Sequence, residues 1–78
     1  MFYVYILQLS DNSYYVGYSS DLKQRIKIHN EGSVDSTKNL RPLRLVYYSA
    51  FVSKEKAINF EKYLKTSSGF AFRNKRLI

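Results

Sequence analysis

Glu61 stands where a protein core would prefer an apolar residue. Ala57, Ile58, Phe60 and Leu64 set the inward arc of a helix that turns about 100° per residue, and Glu61 falls inside that arc. A buried carboxylate is costly unless it meets a cation, a metal or several donors. Two readings are open: an internal ion pair with Arg25 or a lysine, or an oxygen ligand for Mg2+ or Mn2+ at the floor of a cleft. Arg25 and His29 raise the same question on an earlier helix. They lie beside Leu22 and Ile26 on the inward side and, four residues apart, are neighbours. Either Arg25 snorkels from the edge of the face while His29 caps the helix end, or both are inward groups that require partners. Tyr5 and Tyr15 are ordinary strand residues, set apart only if they share a sheet face. Gly17 inside a strand costs stability and marks a close approach by backbone or ligand. No HExxH, phosphate loop, zinc-ligand set or nucleophile elbow is present, and the single histidine argues against a histidine-based metal site.

The elements that must carry these residues follow from pattern. Phe2 to Leu9 is apolar at nearly every position, which predicts a strand covered on both faces. Asp11-Asn12-Ser13 supplies turn chemistry and Tyr14 to Tyr18 resumes the strand, so the two read as a hairpin. A two-residue turn would put Tyr5 and Tyr15 on opposite faces, whereas a three-residue loop over Asp11 to Ser13 puts Tyr5, Leu9 and Tyr15 on one. The three-residue loop is favoured, since Asn tolerates the left-handed conformation such loops need. Asp21 with Gln24 has capping-box spacing and starts a helix to Asn30, stopped by Gly32. Residues 31–42 read as a long polar loop ending at Pro42, ahead of a strand over Leu43 to Val52. Ser53 caps a helix from Lys54 to Thr66, Ser67-Ser68-Gly69 breaks it, and the tail from Phe70 suggests a third helix anchored by Phe70, Phe72 and Leu77. The expected architecture is one α/β (α+β) domain over residues 1–78, ordered β-β-α-β-α-α. Its small three-stranded antiparallel sheet would be flanked by helices.

Bulk properties bound the partners. Thirteen Lys and Arg against six Asp and Glu give +7, a field that attracts polyanions as well as keeping the chain in solution. Without cysteine there is no disulfide or thiolate site. No apolar run approaches the roughly 20 residues of a bilayer span, and no export signal follows Met1. A cytoplasmic protein with no membrane partner is the expectation.

The same residues carry a family pattern. Val4-Tyr5-Ile6, then Tyr15-Val16-Gly17, resemble the two signature triplets of the GIY-YIG nuclease superfamily. Arg25 follows Gly17 by eight residues, His29 comes four later, and Glu61 lies on the next long helix, as in that family. Similarity to the small single-domain bacterial members extends through Ser36-Thr37-Lys38, Arg41-Pro42-Leu43, Tyr47-Tyr48, Glu61 to Lys65 and Phe72 to Leu77. Tyr18 stands where DNA-repair members often have lysine, and Asn74 lies close to a supporting asparagine of some members. The resemblance implies a GIY-YIG endonuclease that hydrolyses phosphodiesters with Mg2+ or Mn2+ on Glu61. Tyr5 would activate or position the attacking water, Arg25 would pair with phosphate oxygens, and Tyr15 and His29 would orient groups or relay a proton. A free tyrosine has a pKa of about 10, so metal and Arg25 must lower that of Tyr5 before it serves as a base.

Nucleic acid, DNA in preference to RNA, would be held along its backbone by Lys23, Lys27, Lys38, Arg41, Arg44, Arg73, Lys75 and Arg76, without base reading. Low sequence specificity, or a preference for a junction, flap, nick or single strand, fits a chain with no added recognition domain. The rival reading is a non-catalytic nucleic-acid-binding module that keeps the fold. A cleft for nucleotides or another small phosphate ester is a further possibility, which the basic perimeter favours less than a longer anion.

Overall fold

A computed structural model describes all of residues 1–78. Three strands, β1 (Phe2–Gln8), β2 (Tyr14–Ser19) and β3 (Arg44–Phe51), form one antiparallel sheet in the order β2-β1-β3. β1 is central, as its unbroken apolar character predicts: Val4, Tyr5, Ile6, Leu7 and Leu9 are all buried. Alternation along β1 splits these side chains between two layers. Val4 and Ile6 join Val16, Ala57 and Leu64 under α2 (Lys54–Leu64) and α3 (Ser67–Arg76). Tyr5, Leu7 and Leu9 pack on the other face against Leu22 and Ile26 of α1 (Leu22–Asn30) and against Leu40 and Leu43.

Helix starts are where the polar caps put them. Asp21 Oδ1 accepts from Gln24 N at 3.1 Å, and Ser53 Oγ accepts from Lys56 N at 3.2 Å. Gly32 N donates to His29 O at 3.0 Å where α1 ends. The hairpin does have a three-residue loop, but it is Ser10–Asn12 and not Asp11–Ser13. Leu9 N donates to Ser13 O at 2.8 Å, and Asn12 adopts φ 68°. Tyr5 therefore lies opposite Gly17, and Leu7 opposite Tyr15. Because the loop keeps its odd length, Tyr5, Leu9 and Tyr15 still share a face.

Three expectations are corrected. The segment 31–42 is not merely a polar surface loop: it holds a short 3-10 turn, Lys38–Leu40, and a fully buried Thr37. Ser67-Ser68-Gly69 does not break α2, which already ends at Leu64, but forms the first turn of α3, since Thr66 caps α3 through a 3.1 Å bond from Gly69 N. Gly69 is required there because any Cβ would overlap the Tyr63 carbonyl. Of the anchors expected on α3, Leu77 reaches the core, but Phe70 and Phe72 remain substantially exposed. No helix is long and apolar enough to cross a membrane.

Candidate functional site

Tyr5 and His29 meet from opposite elements. Tyr5 projects from the middle of β1 and His29 from the last turn of α1, and Tyr5 Oη lies 2.9 Å from His29 Nε2. Both residues are buried, with 1% and 0% of their surface exposed. Gly17 makes the placement possible. A Cβ on Gly17 would fall inside the Tyr5 ring tip, on Cζ and Oη. The bare backbone of β2 is thus the floor over which Tyr5 lies, the close approach that a strand glycine signals. Tyr15 completes the cluster, its ring centroid 5.0 Å from that of His29 and 6.4 Å from that of Tyr5.

The other imidazole nitrogen is also engaged. His29 Nδ1 lies 3.0 Å from Thr37 Oγ1, whose hydroxyl faces the Val34 carbonyl at a long 3.4 Å. Donor counting fixes the tautomer. With the proton on Nδ1, that N–H donates to Thr37, Thr37 donates to Val34 O, and Nε2 accepts from the Tyr5 hydroxyl. With the proton on Nε2, the buried Tyr5 hydroxyl would lose its only side-chain acceptor. The first arrangement leaves no buried proton orphaned. Thr37 is therefore the supporting residue that sequence pattern missed. It lies in an aperiodic loop, and its only trace was membership in the Ser36-Thr37-Lys38 similarity.

Burial also sets the charge states. It lowers the pKa of His29, and the nearby Arg25 charge lowers it further, so the imidazole is held neutral. The Tyr5 phenol moves the other way. Burial raises its pKa far above 10.0, Tyr15 and Glu61 add to the rise, and Arg25 only partly opposes it. Tyr5 in this state is a proton donor to His29, and Arg25 alone does not bring it into the range of a base.

Arg25 itself is exposed at the rim and not inward, close enough for its charge to act on both Tyr5 and His29. Glu61 is half-buried, with 20% of its side chain exposed, and Lys65 Nζ holds its Oε2 at 3.1 Å. Of the ion-pair partners open to it, the lysine is the one found. No group of three or more His, Cys, Asp or Glu side chains comes together, so no ready-made multi-residue metal cage surrounds Glu61. A single carboxylate fits only a hard cation that keeps several waters and takes other ligands from a phosphate, which is the habit of Mg2+.

The basic residues divide. Lys23, Lys27, Lys38, Arg41, Arg44, Lys75 and Arg76 are exposed. Arg41 is partly committed as a strut, donating from Nε to Lys38 O (2.9 Å) and from a terminal nitrogen to Asn30 O (3.2 Å). Arg44 donates to Gln8 Oε1 at 2.6 Å. Arg73 is buried, its guanidinium carbon 3.8 Å from the Phe70 ring centroid and 5.0 Å from that of Tyr14. Asn74 accepts from Arg73 Nε at 3.2 Å and so supports the α3 cation.

Comparison with known proteins bears on the family and the fold. The profile of the GIY-YIG catalytic domain matches residues 1–76. A UPF0213 protein of Streptococcus pneumoniae is 42% identical over 64 residues, covering 81% of this chain and 65% of the relative. One of Staphylococcus haemolyticus is 45% identical over 67 residues, covering 85% and 82%. The solution NMR structure of a UPF0213 protein from Bacillus halodurans superposes with a TM-score of 0.62 at 40% identity, covering 99% of this chain and 85% of that one. This chain thus spans just under two thirds of the length of the Streptococcus relative. The family profile, the matching sheet and the shared sequence converge: the chain belongs to the GIY-YIG family and, within it, to the UPF0213 proteins.

Proposed function

We propose that this chain binds nucleic acid at the β2 edge, where the Tyr5–His29–Tyr15 cluster and the Arg25 rim meet. The supporting observation is an excess of exposed positive charge: Lys27, Lys38 and Lys65 meet Glu31, Asp35 and Glu61, and the other exposed cations meet no carboxylate. Seven of the eight expected backbone-binding cations are solvent-exposed, the chain carries +7, and Arg25 has no carboxylate partner. Such a surface contacts phosphates and leaves bases largely unread. DNA in preference to RNA remains part of the proposal.

A second reading, phosphodiester hydrolysis, is favoured by one specific feature: a neutral imidazole already accepting a hydrogen bond from a tyrosine. Tyr5 would hand its proton to His29 Nε2 as it takes one from a water, and the resulting hydroxide would attack phosphorus. The bond from phosphorus to the 3′-oxygen breaks, and that oxygen takes a proton from solvent. Arg25 would pair with the non-bridging oxygens as their charge concentrates. Tyr15 would orient the imidazole. Glu61, once released by Lys65, would hold Mg2+ or Mn2+, whose chemistry there is neutralisation of the phosphate and the leaving oxygen.

The test is a panel of branched, nicked, single-stranded and duplex DNA and RNA with either cation, run on wild type, Glu61→Gln and Tyr5→Phe. Salt-sensitive binding is expected, with cleavage lost in both variants. Binding with no cleavage above Glu61→Gln removes hydrolysis and keeps the binding module. Affinity indifferent to salt removes the backbone footprint altogether.

A further inference from the structure

Between β2 and α3 lies an open cleft of about 250 Å3 whose lining includes Tyr14, Tyr15, Lys65, Phe70 and Arg73. Its most unusual member is Arg73. Only 4% of the residue is exposed, yet no carboxylate lies within salt-bridge distance, and its one side-chain hydrogen bond is from Nε to Asn74. The Phe70 and Tyr14 rings both pack on the guanidinium, 3.8 Å and 5.0 Å from its carbon, and Arg73 lines the cleft with no partner for its terminal nitrogens. A buried cation without an anion is costly, and this one is pre-oriented beside a second cation, Lys65. No acidic side chain lines the cleft.

We infer that this cleft is a phosphate subsite, filled by a backbone phosphate of the bound nucleic acid with Arg73 as its fixed donor fork and Lys65 as its mobile cation. The inference rests on the nucleic-acid reading above and extends it to the other side of β2. Tyr15 belongs both to this cleft and to the His29 cluster, so the two sites are contiguous. Lys65 is shared as well, since it now holds Glu61. A phosphate entering the cleft competes for the Lys65 ammonium and leaves the Glu61 carboxylate free for a cation. Occupation of the subsite would thereby prepare the neighbouring centre. Arg73 pairs bidentately with phosphate oxygens, which a lysine cannot reproduce.

Two measurements test it. Oligonucleotide affinity is followed against salt for wild type, Arg73→Leu and Arg73→Lys, with thermal unfolding as the fold control. Arg73→Leu is expected to keep the fold and to lose about one unit of the log–log salt slope, the signature of one missing phosphate contact. Arg73→Lys is expected to retain the slope with weakened affinity. A folded Arg73→Leu whose slope and affinity match wild type overturns the subsite. In the second measurement, inorganic phosphate is titrated into isotope-labelled wild type while the Arg73 Nε–H resonance is observed. A saturating shift that chloride does not produce supports the subsite even if Arg73→Leu fails to fold, and no shift overturns it. If phosphate saturates Arg73 but no oligonucleotide binds, the subsite stands and the polymer reading falls. If oligonucleotides bind while Arg73 stays silent in both measurements, the reverse holds.

Discussion

Replacing Thr37 by valine removes one hydroxyl at almost constant volume and tests the proton arrangement directly. In wild type, His29 Nδ1 is 3.0 Å from Thr37 Oγ1 and Nε2 is 2.9 Å from Tyr5 Oη, all three residues being buried. Valine offers no acceptor. The ring must then keep an unpaired Nδ1–H, or shift its proton to Nε2 and leave the Tyr5 hydroxyl without an acceptor. Either way one buried donor is orphaned, which costs about 1–3 kcal/mol. For a chain this short the total stability is roughly 4–12 kcal/mol. A loss of about 2 kcal/mol would lower Tm by roughly 8–16 °C. The specific readout is the tautomer. The chain has a single histidine, so long-range proton–nitrogen NMR spectra of the imidazole report His29 alone. Wild type is expected to show one species protonated at Nδ1, Thr37→Val a mixture or a shift to Nε2, and Thr37→Ser the wild-type pattern. Wild-type His29 protonated at Nε2 would refute the reasoning, as would a Thr37→Val protein with unchanged tautomer and unchanged Tm.

Gly17→Ala forces a methyl group onto the tip of the buried Tyr5 ring. We expect 1–3 kcal/mol of overpacking, about the usual range, and loss of the Tyr5–His29 coupling in NMR. Full retention of both would show that the ring is free to move. Since the folded-state pKa of His29 lies below its ordinary 6.5, the unfolded chain binds the extra proton first. Stability contributed by neutral His29 is therefore present above about pH 6.5 and lost as pH falls from there towards the folded-state value. Denaturant midpoints across that range for wild type and His29→Gln check this, and identical pH slopes would contradict it. The raised pKa of Tyr5 acts at the alkaline end, where the unfolded phenol ionises near 10.0 while the folded one stays protonated. One of the eight tyrosines should stay silent in an ultraviolet titration until the chain unfolds, and Tyr5→Phe should abolish that lag.

Much of the scaffold was legible because it rests on local chemistry. The caps at Asp21 and Ser53 need only a side-chain oxygen near the first helical amides, and the central position of β1 shows in its lack of polar residues. The facing of Tyr5 and Tyr15 survived a misplaced loop for a physical reason. A three-residue loop moved by one position shifts strand register by two, and side-chain facing repeats every two residues. What could not be read is whatever depends on contact across elements. Helical period put Arg25 inward, but His29 at the helix end took the buried position and left Arg25 at the rim. Period also grouped Arg73 with the solvated cations. Only the close packing of α3 on the end of α2 at Gly69, with Tyr14 of β2 alongside, makes Arg73 a buried guanidinium against Phe70 and Tyr14.

The same distinction separates what a substitution at each site residue would change. Tyr5, Tyr15 and Gly17 are set by strand parity, so they form the frame of the cluster. The tautomer of His29 is set by Thr37, in a loop without period, through a hydrogen bond that reaches back eight residues to His29. A chain can therefore keep the whole Tyr-Tyr-Gly-Arg-His-Glu pattern and still lose a poised imidazole through one hydroxyl outside it. The presence of the pattern thus bears on the fold and on phosphate binding more strongly than on turnover. Under the proposed function, Thr37 and the Lys65 that restrains Glu61 would be the residues at which binding and hydrolysis part company.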